Sequence, residues 1–266
     1  NSIFFFIIVF FIFFILIIVS SNIQAQNFRY VPEDWYIITK PGAITAITED
    51  NFFLYFATEN GVYRYDKGRE DFQYDYSFSV QLEFPKIMHF YFDSYRDYFW
   101  VVHRGGISYK SSVSSIWREM SLMNSGIYSY HEIDDIGSSS EYFWIRSGPQ
   151  LYPFDPFSAL SANWQDAQHD MNLIKWGYSK FGIAGENLDI SSYSINGEWS
   201  IGLNSISHKD GRSMNATLYM EDEEGNQWFG TTEGYVLKGW RHSFRLDLIT
   251  IGLPFDHVTT VYNDQE

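Results

Sequence analysis

The feature that most constrains the fold of this chain is a short sequence pattern that recurs about every 42 residues. Its clearest copy, residues 220–236, contains a turn of Asp, Gly and Asn, a short aromatic strand, a Gly-Thr pair and a second glycine turn. This order of turn residues and strand formers is typical of a β-hairpin. Further copies open at Asp50, Asp93 and Asp135, and Asp222 of the clearest copy follows Asp135 by about two periods.

The length of the period decides the expected architecture. A period in the forties, rich in strand formers and glycine turns, is typical of a β-propeller blade of four antiparallel strands. Helical repeats are disfavoured because no part of the period shows a sustained helical pattern of apolar residues. A degenerate copy that lacks the aspartate is expected at residues 178–188, and another copy opens at residues 258–264. The sequence therefore predicts an all-β propeller of about five blades plus the start of a sixth, with an incomplete ring.

The repeat also predicts the limits of each blade. In the fourth, residues 192–195 are expected to pair with residues 198–201 across Asn196 and Gly197, because Asn-Gly is the strongest short hairpin signal. Residues 35–39 are expected to form a closing strand whose partners lie beyond Glu266. An open ring would leave one face of the first blade and one face of the fifth exposed. The expected blades span about residues 44–83, 87–122, 127–165, 171–207 and 214–248, and the sixth starts at 258–266.

The N-terminal segment indicates export. Residues 3–19 are wholly apolar, and small or aliphatic residues occupy the −3 and −1 positions of a cut after Ala25. Residues 1–25 are therefore predicted to be a secretory signal peptide, which leaves residues 26–266 as the propeller domain. The alternative is an uncleaved anchor, because an apolar run of this length is just long enough to span a bilayer. The first residue is Asn and no basic residue precedes the run, so we expect the chain to be a fragment at both ends.

Composition narrows the location and the partners. The chain has no cysteine, which excludes disulfides and a lipoprotein anchor, so we expect a bacterial protein of the periplasm or cell surface, or a secreted one. All 18 Lys and Arg and all 33 Asp and Glu residues follow Ala25, so the net charge of −15 belongs to the mature part. This charge argues against nucleic acid and anionic membranes as partners. Membrane contact is expected only through an N-terminal anchor or a segment downstream.

The repeat resembles the two-component regulator propeller repeat. The resemblance rests on Asp222-x-x-Gly225-Asn226-x-Trp228-Phe229-Gly230-Thr231-x-x-Gly234 and on the Gly-Leu-Pro and Val-Thr-x-Val-Tyr-x-Asp pattern of residues 252–264. The Asp50 copy is also close, with Ala57-Thr58 in place of Gly-Thr, whereas the Asp93 and Asp135 copies keep only the aromatic strand. The resemblance implies a periplasmic ligand-sensing propeller, as in the sensor regions of hybrid histidine kinases and related surface proteins.

Four residues form the candidate ligand site. In such a blade, the turn with the aspartate lies on one face. The loops entering the first strand and those joining the second and third strands lie on the opposite face around the central channel. His103, Arg104, Arg146 and His257 are expected at this funnel mouth, where they would hold a carboxylate or an acidic glycan. The alternative is that they are ordinary solvated loop residues.

No catalytic or metal-binding motif is found. The seven histidines lack the His-Glu-x-x-His pattern, and neither a nucleophile elbow nor a phosphate-binding glycine loop is present. We therefore expect no catalytic residue, no metal and no cofactor. The sequence favours a binding or sensor module for a small molecule, a glycan or a partner protein. The alternative is an enzyme on a propeller scaffold, of the glycosidase, lyase or quinoprotein type.

Overall fold

The computed structural model describes residues 41–79, 86–123 and 125–251. It is 48% strand and 9% helix, which confirms the expected all-β class. In the part of the chain described, no helix is both long enough and apolar enough to cross a bilayer. The predicted signal peptide, the closing strand at 35–39 and the sixth-blade opening at 258–266 lie outside the described residues.

The first sheet has four antiparallel strands in chain order, and a fifth strand from later in the chain pairs with the first of them. Asp50 shapes its first turn, because its Oδ1 accepts hydrogen bonds from the backbone N–H groups of Phe52 and Phe53, both at 2.8 Å. A short helix follows the last strand. The elements are β1 Ile44–Glu49, β2 Phe53–Thr58, β3 Gly61–Asp66, β4 Asp71–Tyr74 and α1 Tyr76–Ser79.

The second sheet repeats this plan. Asp93 ends its first strand, and the carboxylate accepts hydrogen bonds from the Tyr95 backbone N–H at 3.0 Å and from Arg96 Nη1 at 2.8 Å. Its strands are β5 Ile87–Asp93, β6 Tyr98–His103, β7 Gly106–Ser111 and β8 Arg118–Met120.

The third sheet departs from the expected blade at residues 127–165. Asp135 does not lie in the first turn but begins the first strand, and Ser139 takes the turn position, where its Oγ accepts a hydrogen bond from Trp144 Nε1 at 2.7 Å. In place of a fourth strand there is a single bridge between Phe154 and Ser161, followed by two short helices. The elements are β9 Asp135–Ser138, β10 Phe143–Ser147, β11 Gln150–Phe154, α2 Trp164–Ala167 and two 3₁₀ helices, Tyr130–Glu132 and Gln168–Leu173.

The prediction of a fourth blade at residues 171–207 is wrong, because the strands of this region join three different sheets. β12 (Lys175–Trp176) pairs with β9, β13 (Tyr178–Ser179) pairs with β1, and a 3₁₀ helix (Ile183–Gly185) follows. We call residues 175–185 the crossing segment. The close approach to β9 requires a glycine, since a Cβ at Gly137 would overlap the backbone carbonyl of Lys175.

The fourth sheet has seven strands, and the hairpin expected across Asn196 and Gly197 is not formed. β14 (Ser194–Ile195) instead runs parallel to β20, whereas β15 (Trp199–Ile201) pairs with β16. Burial explains the difference, because the apolar residues on both sides of Asn196-Gly197 pack on the face of this sheet. The remaining strands are β16 Ser205–His208, β17 Ser213–Glu221, β18 Gln227–Thr231, β19 Tyr235–Gly239 and β20 Arg245–Thr250.

Among the described residues, four apolar clusters hold the sheets together. Three of them join the sheets in the order third, second, first and fourth. In the fourth cluster, side chains from residues 188–206, among them Ile190 and Ile206, pack against the other face of strands β17–β20. Neither of the two faces expected to be open is therefore bare: the fourth sheet packs on the first, and its far face is covered.

A β-bulge recurs at one place in three of the sheets. The pairing of the first two strands shifts register between Ile44 and Ala46, between Ile87 and His89, and between Ala216 and Leu218. A bulge adds one residue to one strand and increases the local twist. These three sheets therefore share a backbone irregularity as well as a sequence pattern.

Candidate functional site

His103, the first of the predicted site residues, is buried in a turn. Its Nε2 lies 2.8 Å from Ser108 Oγ, and its Nδ1 accepts a hydrogen bond from the Gly105 backbone N–H at 3.0 Å. Burial lowers the pKa of the imidazole, so the ring is neutral at pH 7. These contacts show a role in shaping the β6–β7 turn.

Arg146 lies at the end of β10 and is engaged with a buried acid. Its guanidinium pairs with the Asp135 carboxylate, with Nε 3.0 Å from Oδ2. Burial raises the pKa of Asp135, and Arg146 opposes this effect. The backbone N–H of Ile183 donates to the same carboxylate oxygen at 3.3 Å, so the pair also fastens the crossing segment.

The other two predicted residues differ from these. Arg104 is exposed in the β6–β7 turn next to His103. His257 lies outside the described residues. A shared ligand site of the four residues stays a prediction, with two of its members already bound to other groups of the protein.

A cavity of about 590 Å³ lies between the fourth sheet and the segment that contains the crossing residues. Its lining is mostly apolar, with five aromatic rings, two acidic side chains and one amide. Within residues 41–79, 86–123 and 125–251, no Lys, Arg or His is part of it. The lining residues are Trp176, Gly177, Tyr178, Ile183, Ala184, Glu186, Asn187, Leu188, Asp189, Tyr193, Tyr219 and Phe229.

The wall formed by the fourth sheet depends on its bulge. Side chains alternate along a strand, so in an unbroken β17 Ala216 and Leu218 would lie on one face of the sheet and Tyr219 on the other. The extra residue at Thr217 resets this alternation, so that Ala216 and Tyr219 both pack toward residues 188–206, while Leu218 packs toward the first sheet. Tyr219 stands opposite Phe229 in β18, with ring centroids 5.0 Å apart.

The opposite wall comes from the crossing segment and the chain that follows it. Trp176 is held by pairing with Gly137 of β9, and Tyr178 by pairing with Ile47 of β1. Asn187 has a positive φ of 51°, a conformation that Asn tolerates better than most residues. The cavity thus exists because residues 176–189 are not a blade.

The charged side chains that line the cavity are carboxylates. Hydrogen bonds from Ser191 lower the pKa of Asp189, which is therefore ionised at neutral pH. Tyr219 donates its hydroxyl to Glu221 Oε2 at 3.2 Å, and burial together with this carboxylate raises the pKa of Tyr219 to about 12. Burial, followed by the charges of Glu49 and Glu221, also raises the pKa of Tyr178. Both phenols are neutral hydrogen-bonding groups at pH 7.

The sequence carried only a weak signal for this site. The aromatic residues were visible, but packing between blades explained them equally well. The stronger signal was the missing turn aspartate near residue 178, together with Gly182 and Gly185, where a Cβ would overlap neighbouring atoms. Within the described ranges, no group of three or more His, Asp or Glu side chains is arranged to hold a metal ion.

A second hollow, of about 490 Å³, lies beside the third sheet. In the described part of the chain its lining contains no charged side chain and consists of Pro149, Gln150, Leu151, Tyr152, Trp164 and Met171.

Comparison with known proteins gives only distant likenesses. No family model and no curated protein matches the chain. Among solved structures, it is similar to the extracellular domain of a one-component system protein from B. thetaiotaomicron, with a TM-score of 0.35 and 14% identity. It is also similar to the extracellular domain of a hybrid two-component system protein from the same organism, with a TM-score of 0.35 and 15% identity. The N-terminal domain of Nup159 follows, with a TM-score of 0.30 and 9% identity.

The alignments cover most of this chain but a minor part of each neighbour. They include 76% of this chain and 28% of the one-component protein, 73% and 26% for the two-component protein, and 76% and 46% for Nup159. At these identities and TM-scores the likenesses carry no argument about function.

Proposed function

We propose that this chain is an exported, non-catalytic binding or sensor module, built as part of a β-propeller. The first and second sheets and strands β17–β20 serve as blades in this proposal. The support is twofold: each has four antiparallel strands in chain order, and each has the same bulge between its first two strands.

The observation that carries the proposal is the cavity beside the fourth sheet. Its volume of about 590 Å³ falls in the range of small-molecule sites, and its mixture of aromatic rings with a few polar groups is typical of such sites. A small molecule is therefore the proposed ligand. A glycan end group or a side chain of a partner protein would be bound through the same rings.

Export rests on the sequence. The apolar run of residues 3–19 and the small residues before the cut after Ala25 support passage into the periplasm, to the cell surface or into the medium of a bacterium. An uncleaved run would leave the module anchored in the membrane. The net charge of −15 disfavours nucleic acid as a partner.

The ionisation and the solvent exposure of the carboxyl groups in the cavity favour binding over catalysis. A glycosidase needs one carboxyl with a raised pKa as its general acid. The pKa of Asp189 is lowered instead, and Glu186 is exposed to solvent. The propeller enzymes of the glycosidase, lyase or quinoprotein type thus remain the weaker alternative.

The test is a ligand-observed NMR screen of small polar and aromatic fragments against the chain. We expect fragments whose signals report binding to the normal protein and lose it with Tyr219→Ala, which removes one ring from the cavity wall. Phe52→Ala is the matched control, since Phe52 is an exposed aromatic residue in the Asp50 turn. The proposal fails if no fragment distinguishes Tyr219→Ala from Phe52→Ala while both variants keep the normal circular dichroism spectrum.

A further inference from the structure

Three of the five aromatic rings that line the cavity are in contact through Phe229. Phe229 lies between Tyr193 and Tyr219, with ring centroids 5.6 Å and 5.0 Å away. Trp176 and Tyr178 line the cavity from the crossing segment. The face of an aromatic ring carries partial negative charge and attracts cations, most strongly for Trp.

The charged groups of the cavity act in the same direction. Glu186 and Asp189 are part of the lining, and Glu221 accepts the hydroxyl hydrogen of Tyr219. Asp189 is held as a carboxylate by two hydrogen bonds from Ser191, at 2.9 Å to the backbone N–H and 2.6 Å to the hydroxyl. Among the residues that the structure describes, every full charge in the lining is therefore negative, and no lysine, arginine or histidine offsets it.

We infer that this cavity selects an organic cation, such as a quaternary or primary ammonium compound. The inference rests on the proposed function, since it names the class of ligand for the same cavity. A cation gains from the ring faces and from the carboxylates together, although the attraction of the carboxylates is modest because Glu186 and Asp189 are exposed to solvent.

The same features oppose the ligand class expected from the sequence. An anion would meet carboxylates rather than arginines in this cavity, and it would approach a protein with a net charge of −15. The Arg146 guanidinium is already paired with the buried Asp135 carboxylate, and His103 is a neutral imidazole within the β6–β7 turn. The acidic surface instead raises the local concentration of cations.

The test compares two probes of equal shape. Choline carries a trimethylammonium group, and 3,3-dimethyl-1-butanol carries a tert-butyl group in its place without the charge. We expect choline to bind about tenfold more tightly in an NMR titration of the full chain at low salt. This preference should shrink as ionic strength rises, because salt screens exposed charges.

Matched variants separate charge from shape. Glu186→Gln and Asp189→Asn keep the size of each side chain, and the new amide oxygen at position 189 still accepts from Ser191. Each is expected to weaken choline binding by about threefold and to leave the neutral probe unchanged. Glu119→Gln, a substitution of an exposed acid on β8, removes the same charge outside the cavity and should change neither.

The outcomes distinguish a failure of the cation inference from a failure of the proposed binding cavity. If the neutral probe or an uncharged sugar binds as tightly as choline, and Tyr219→Ala abolishes that binding, the cation inference is overturned while the proposed binding cavity stands. Choline binding that survives Tyr219→Ala overturns the inference as well, because the cation then lies elsewhere. If no probe and no fragment binds at the cavity, both proposals fail.

Discussion

At the scale of single residues, the recurring turn works through one hydrogen bond. In three sheets the turn side chain accepts from the aromatic residue of the second strand: Asp50 from Tyr55, Ser139 from Trp144 and Asp222 from Trp228, at 2.7 to 2.8 Å. The second sheet breaks the rule, since Trp100 Nε1 is buried and has no hydrogen-bond partner among the described residues. A buried donor without a partner costs stability.

This difference predicts unequal effects of the same substitution. Trp228→Phe leaves the buried Asp222 without one of its donors, whereas Trp100→Phe removes a donor that had no acceptor. Both shrink a buried ring by the same amount, so Trp228→Phe should cost about 1–3 kcal/mol more in the free energy of unfolding. Urea denaturation measures both values. Trp144→Phe, which loses the bond to Ser139, should behave like Trp228→Phe, and equal costs in all three variants would contradict the prediction.

At the scale of elements, the crossing segment is the part that the repeat did not reveal. It touches the first strand of several sheets, pairing with β9 and with β1, and its backbone is joined to Asp135 through Ile183. Gly182 lets it approach, because a Cβ there would overlap the Asp135 carboxylate and lie 2.8 Å from the Asp134 carbonyl oxygen.

Gly182→Ala is therefore expected to displace the crossing segment. The backbone of Gly182 is extended, with φ −106° and ψ −168°, so the added methyl group acts through steric overlap rather than backbone strain. We expect a loss of about 1–3 kcal/mol in unfolding free energy. Gly68→Ala is the control, since its Cβ would meet nothing closer than 3.4 Å in an exposed turn. A Gly182→Ala variant as stable as Gly68→Ala would show that the segment is not packed as described.

Sequence reasoning predicted the parts of the fold that rest on local contacts. The turns at Asp50, Asp93 and Asp222 mark the first, second and fourth sheets, because each carboxylate binds backbone or side-chain donors a few residues away. Asp135 misled the repeat count, since Ser139 performs the turn function with a different side chain. Pairing of Tyr178 with Ile47 is a long-range contact that no local pattern contains. The cavity depends on that contact and on the bulge at Thr217, so its aromatic residues could be noticed but not grouped.

At the scale of the whole molecule, a histidine buried between the second and third sheets makes the stability of the fold depend on pH. His89 of β5 is completely buried, and its Nε2 lies 3.0 Å from the backbone carbonyl oxygen of Ile133, which precedes β9. Burial lowers the pKa of His89 to about 4, although the bond to Ile133 opposes the shift. The imidazole is thus neutral in the folded protein over a pH range where it is protonated in the unfolded chain.

This predicts a loss of stability on acidification. Above pH 6.5, the usual pKa of histidine, the contribution is fully present, and it is lost progressively between about pH 6.5 and about pH 4 because the unfolded chain binds the proton first. The loss is on the order of 3 kcal/mol. Urea denaturation at several pH values measures how the free energy of unfolding changes across this range. It should fall less steeply with decreasing pH in His89→Gln, whose amide can still donate to Ile133, than in the normal protein. Equal pH dependence of the two proteins would contradict the prediction. The raised pKa values of Glu49 and Asp135 act in the opposite direction in both proteins.

The pairing of β13 with β1 also bears on the order in which the chain folds. The partner of β1 lies roughly 130 residues further along the chain, so one edge of β1 stays unpaired until that part of the chain has been synthesised. Contacts that close such long loops form slowly, and an open strand edge is a site for mispairing in the meantime. The free edge of β1 is therefore the place where a partly folded chain is most exposed to pairing with a wrong strand, and β13 protects this edge once it docks.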